Sequence, residues 1–122
     1  MTQLGLRLDA GDDASDEEVD RLTGRLRDEL LELDVDEVRR AAAGEAPEGA
    51  RGIDPEALGH LLVTLATAPA TLRAVVGTVR AWLARSAARS VKLELDGDVI
   101  EVTGVSNADQ QRLIDVWIER HS

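Results

Sequence analysis

Side chains able to take up a proton or attack a carbonyl are scarce in this sequence. It holds two histidines, His60 and His121, a single lysine, Lys92, and no cysteine. A nucleophilic centre needs a hydroxyl or thiol within reach of a His or Lys base, itself oriented by a third group. His60 stands among Leu58, Leu61 and Leu62 and reads as a histidine tolerated at the border of an apolar helix. His121, the penultimate residue, reads as part of a fraying end. Lys92 alternates with Val91 and Leu93, which assigns it to a strand. Neither a G-x-S-x-G elbow nor a phosphate-cradling glycine loop occurs. Asp9, Asp12, Asp13, Asp16 and Glu17 crowd one short stretch, but calcium loops set their oxygen ligands at fixed alternate positions ending in a bidentate Glu. Around a helix start the same carboxylates are favoured by the macrodipole. The sequence therefore predicts no catalytic residues, no metal ligands and no cofactor, and a chain that is not an enzyme.

Composition narrows the partners. With 24 Asp and Glu against 14 Lys and Arg, the net charge is −10, which opposes binding to phosphate backbones and anionic membranes. Trp82 and Trp117 are the only aromatic residues besides the histidines, so no stacking platform for single-stranded nucleic acid is expected. The lack of cysteine fits a reducing compartment, no secretory signal pattern opens the sequence, and a cytoplasmic location is expected. The 16 uncharged residues from Ala57 to Leu72 include Pro69 and fall short of the roughly 20 needed to span hydrocarbon. A buried helix is predicted there instead. Charge is also unevenly spread: residues 1–50 hold 15 acids and 6 bases, whereas no acid occurs from Ala57 to Leu93. Arg73, Arg80, Arg85 and Arg89 fall in that acid-free stretch. They read either as solvated flanks of a buried helix that pair with the acidic first helix, or as a docking face for an acidic protein partner.

The elements that would position these residues follow from periodicity. Leu4, Leu6 and Leu8 alternate with Gly5, Arg7 and Asp9 as in a half-buried strand. Ser15 and Glu18 have capping-box spacing, and Val19, Leu22, Leu26, Leu30 and Leu33 form one helical stripe. Val35–Ala43 reads as a second strand, and Gly44–Ile53, rich in Gly and Pro, as a flexible surface loop. Asp54-Pro55 starts a helix that carries Leu58, Leu61, Leu62 and Leu65. Pro69 ends it, and a further helix follows from Leu72 through Trp82. Val91–Leu95 and Ile100–Val102 alternate on either side of Asp96-Gly97 as a β-hairpin. Ser106 and Asp109 cap a last helix whose apolar face holds Leu113, Ile114, Trp117 and Ile118. The predicted fold is α+β, with a small mixed four-stranded sheet in the order β-α-β-α-α-β-β-α, helices packed on it, and a C-terminal β-hairpin-helix unit. Residues 1–122 are predicted to form a single domain, and the first two strands to run parallel if adjacent.

Three segments, WLAR (82–85), SVKLELDGDVIEVTGVS (90–106) and DQQRLIDVWIERH (109–121), resemble the effector-associated constant component family of high-GC bacterial conflict and defence gene clusters. The resemblance combines the Trp-Leu helix end, the Asp96-Gly97-Asp98 turn, Gly104-Val105-Ser106, and Gln110, Leu113, Ile114, Trp117, Arg120 and His121. Weaker similarity in the order of elements extends through the first 70 residues. It implies an adaptor or regulator that works beside a separately encoded effector, for example a trypsin-like or caspase-like protease, and assigns no catalytic residues. A homo-oligomerising structural module and a small-ligand sensor are the alternatives. Trp82 and Trp117, each on an apolar helical stripe, are predicted as core anchors. Blue-shifted intrinsic fluorescence of the folded chain is the expected result, and a strongly red-shifted emission counts against two buried indoles.

Overall fold

A computed structural model describes residues 2–40, 59–66, 68–104 and 108–121. β1 (Thr2–Asp9) is followed by α1 (Asp16–Leu31), β2 (Glu37–Arg40), β3 (His60–Leu65), α2 (Pro69–Arg85), β4 (Ser90–Leu95), β5 (Asp98–Thr103) and α3 (Ala108–His121). The five strands form one sheet in the order β2-β3-β1-β4-β5, and every neighbouring pair is antiparallel. The fold is thus α+β, but the sheet is five-stranded and antiparallel where a mixed four-stranded one is predicted.

The difference comes from one segment. Leu61, Leu62 and Leu65 have helical spacing, yet Leu61, Val63 and Leu65 also alternate, and in β3 they are almost wholly buried beside β1. Apolar side chains at Leu61, Leu62 and Val63 in succession erase the alternation that tells strand from helix, and the β-branched Val63 and Thr64 favour the strand. With β3 inserted between them, β1 and β2 run in the same direction without pairing. Pro69 does not end a helix; it opens α2 from its first turn, where its missing N–H had no partner to lose. Of the predicted second strand, residues 37–40 form β2. Residues 41–43, the predicted loop at 44–53, the helix start at 54–58 and the Ser106 cap lie outside the described residues.

The remaining elements match their local signals. Ser15 Oγ accepts from the Glu18 backbone N–H at 3.1 Å, capping α1. Asp96 and Gly97 have φ of 53° and 82°, the pair of positive values that a two-residue hairpin turn requires and that glycine adopts without cost. Leu4, Leu6 and Leu8 of the central strand point to the same side as Val38, Leu61, Val63, Val91 and Leu93, and the three helices cover that side. α2 lies between α1 and α3. Both indoles are in this core: Trp117 is 0% exposed and Trp82 4%. Leu113, by contrast, is 64% exposed; the inner face of α3 is taken by Ile114, Trp117 and Ile118.

Where β5 ends, the backbone of Gly104 passes so close to α2 that a Cβ there would lie 2.9 Å from Ala84 N and 3.0 Å from Leu83 C. Because those atoms are backbone, the helix itself would have to move. Chemical denaturation should therefore show Gly104→Ala destabilised by about 1–3 kcal/mol from overpacking and Trp117→Ala by about 3–5 kcal/mol from the cavity left behind. A Gly104→Ala variant as stable as the parent would contradict the close approach.

Candidate functional site

Arginines converge in this fold, though not where the acid-free stretch places them. α1 and β2 pack side by side, with Arg27 Nε donating to Val38 O at 3.0 Å across the seam. Gly24 faces that seam without a side chain, and the Arg40 guanidinium fills the space: a Cβ on Gly24 would lie 2.9 Å from Arg40 Nη2. Arg40 also pairs with the Asp20 carboxylate and donates to its backbone carbonyl at 3.3 Å. The result is a surface cleft of about 530 Å³ lined by Arg21, Arg25, Arg27, Arg39 and Arg40, with Asp28 as the one carboxylate that the described residues contribute to its wall. Glu18 and Glu37 stand at 3.9 Å and 3.8 Å from Arg21 and Arg39. Arg25, exposed on the crest of α1, makes no hydrogen bond or ion pair among the described residues. Five of the six basic residues found in positions 1–50 thus line one cleft, in the half of the sequence with the most acids.

A second cleft, of about 460 Å³, lies on the other flank of α1 against the end of α2. It shares Arg21, Arg25 and Asp28, has Trp82 in its lining, and is crossed by the Arg85–Glu29 ion pair at 3.3 Å. Guanidinium forks of this kind match carboxylate and phosphate geometry; the first cleft has five of them against Asp28, whereas in the second Arg21, Arg25 and Arg85 are balanced by Asp28, Glu29 and Glu32.

The four arginines singled out in the sequence do not gather. Arg80 donates to Gln111 Oε1 of α3, while Arg85, five residues on and so roughly 140° round the helix, turns to α1. Arg73 is exposed on the first half of α2, and the Arg89 guanidinium packs against Gly11. His60 is on β3, not on a helix. In the sheet register Arg7 stands opposite both His60 and Lys92, on the face that none of the three helices covers. Gly5 leaves a dent of about 210 Å³ beside them. Asp9 Oδ1 accepts from Gly11 N at 2.9 Å, and among the described residues no group of three or more His, Cys, Asp or Glu is placed to hold a metal ion. No described helix is long and apolar enough to cross a membrane.

His121 is held rather than frayed. Its ring packs against Trp117 at a tilt of 55°, with centroids 5.1 Å apart, and its Nε2 lies 2.8 Å from Asp98 Oδ2. Arg120 Nη2 reaches the same oxygen at 2.8 Å, and Trp117 Nε1 donates to Asp98 O at 3.2 Å. The end of α3 is thereby clamped to the first residue of β5. Spacing alone hides this clamp, because Asp98 reads as a turn residue and the last turn of a helix as loose. No family model, curated protein or solved structure matches the chain.

The hydrogen bond from His121, together with the Arg120 charge, holds the Asp98 carboxyl below its ordinary value against an opposing desolvation effect. A carboxyl depressed in the folded state stabilises it fully above the unfolded value of 3.8, and that contribution disappears as pH falls through the lower folded value. Thermal melts should show Asp98→Asn less stable than the parent at neutral pH, with the gap closing well below pH 3.8. A gap that stays constant over that range would mean that the charge of Asp98 adds nothing.

Proposed function

We propose that this chain is a non-enzymatic protein-interaction adaptor or regulatory component of a bacterial conflict or defence system, working in the cytoplasm. In this reading it couples a sensing component to a separately encoded effector such as a protease. The resemblance of residues 82–121 to the effector-associated constant component family supports the role. The observation that carries the binding step is the arginine-lined cleft between α1 and β2. In a chain of net charge −10, such a cleft suits an acidic polypeptide segment, whose carboxylates match the guanidinium forks, better than a long polyanion that the rest of the surface repels. Arg25, without a partner among the described residues, is the first contact such a segment would meet.

A second reading, a homo-oligomerising structural unit, has a different surface in its favour: the exposed Leu113 and Val116 of α3. The two readings use different surfaces and do not exclude each other. Co-purification with the product of the adjacent effector gene should fall roughly tenfold or more for Arg21→Glu with Arg25→Glu, and stay near the parent's level for Arg80→Glu. Undiminished capture by the Arg21 and Arg25 variant sinks the cleft as the docking site. Loss on Arg80→Glu alone moves it to α2, and salt-steep retention of nucleic acid by the parent overturns the protein-partner reading.

A further inference from the structure

Four large hydrophobic side chains are exposed among the described residues; Leu113 and Val116 lie on α3, which packs on β5, and Val99 lies within β5 on its other face. Leu31, the fourth, stands apart at the end of α1. β5 is an edge strand with no described strand on its outer side. The opposite edge, β2, is only four residues long and carries Glu37, Arg39 and Arg40, the short and charged form that blocks pairing. β5 has six residues with neither proline nor lysine.

The orientation of α3 follows from its partners. Gln111 meets Arg80 of α2, and Leu113 lies roughly 200° further round the helix, on the side away from α2. Arg120, seven residues from Leu113 and so on the same stripe, reaches Asp98 at the start of β5. The outward stripe of α3 is therefore Asp109, Leu113, Val116 and Arg120, all exposed. Its order is acid, apolar, apolar, base, which is complementary to itself when reversed. A two-fold axis between Ile114 and Asp115 sets Leu113 against Val116 of a second copy and Asp109 against the second copy's Arg120.

The strand supports the same axis. α3 runs back along β5, with Gln110 bonded to Thr103 at one end and Trp117 and His121 bonded to Asp98 at the other. The middle of the helix therefore sits over Ile100 and Glu101. Leu95 and Asp98 close a two-residue hairpin, so alternation turns the backbone N–H and C=O groups of Val99 and Glu101 out of the sheet. Antiparallel pairing of two such edges needs an axis on a residue. On Glu101 it would set like charges opposite each other, which is destabilising; on Ile100 it sets Val99 against Glu101 and Ile100 against its own copy.

We infer that the chain forms a two-fold dimer in which two β5 edges pair antiparallel about Ile100, extending the sheet to ten strands, while two α3 helices pack through Leu113 and Val116 and close two Asp109–Arg120 ion pairs. Arg120 keeps its bond to Asp98 and still has donors for the incoming carboxylate. The interface is isologous, so one patch serves both copies and the assembly closes at two.

Multi-angle light scattering on the full chain tests this. The parent is expected at twice its 13.1 kDa mass over roughly 1–100 µM, and Leu113→Glu with Val116→Glu at the monomer mass with unchanged circular dichroism. Asp109→Arg places two cations opposite each other and should weaken the dimer at least tenfold without touching the core, so it also decides the matter if the double variant misfolds. Because the chain has no cysteine, Ile100→Cys reads the register directly. Facing residues at a non-hydrogen-bonded site lie about 4.5 Å apart, within disulfide reach, so mild oxidation should link the copies, and Asp12→Cys should not. A monomeric parent throughout that range, a dimer indifferent to all three surface changes, or no Ile100→Cys cross-link in a dimeric sample overturns the inference.

Discussion

One strand has to be buried on its helix face and paired along both of its edges before anything else can be in place. β1 meets β3 on one side and β4 on the other, and Leu4, Leu6 and Leu8 project into a layer that Leu22, Leu26, Val79 and Trp117 must cover. Apolar side chains left facing water would forfeit about 1.5–3 kcal/mol each, so the helices have little choice of side. All three lie on that face, and α2 is gripped between α1 and α3. The arrangement of the outer elements follows: α1 comes to rest against β2, which brings the arginines of both together, and α3 comes to rest over β5.

The second constraint is the clamp on Asp98. Trp117, Arg120 and His121 occupy the last two turns of α3, and each reaches the same residue of β5. Contacts made by three side chains of one helix fix its rotation as well as its position. With Ile114, Trp117 and Ile118 turned inward, Leu113 and Val116 are left facing solvent although their chemistry suits a core. Exposure of large apolar side chains singly is ordinary on protein surfaces; the pairing of Leu113 with Val116 beside a strand that has no described neighbour on its outer side is less so.

Much of the architecture was legible in the sequence because local rules sufficed. Ser15 caps α1, Asp96-Gly97 turns the hairpin, and the leucines of β1 and α1 keep their periods. β3 is not legible: His60–Leu65 is apolar at four of its six positions without a clean alternation, and its two neighbouring strands make it a strand. The same error hid the sheet's all-antiparallel order, since a helix in that place leaves β1 and β2 free to pair. Leu113 sits at the margin of a helical stripe that spans more than 100°, and such a margin can fall on either side of the waterline. The arginine cleft could not be read at all. Arg21, Arg25 and Arg27 are diluted by acids in their own helix, and Arg39 and Arg40 are brought to them only by the packing of β2.

The strand order also fixes how far apart along the chain each pairing lies. β4 and β5 meet across two residues, and α3 follows at once, so this unit closes small loops. β1 must instead find Leu61 for Leu6 on one side and Leu93 on the other, and the conformational entropy lost rises with the length of chain enclosed. The strand met first along the sequence therefore makes the pairings that enclose the most chain, bridging two halves that have no direct strand pairing with each other. Such topologies raise contact order and slow folding relative to a meander of the same strands. Without β1, the inner edges of β3 and β4 would both lack the partner that they share in this sheet.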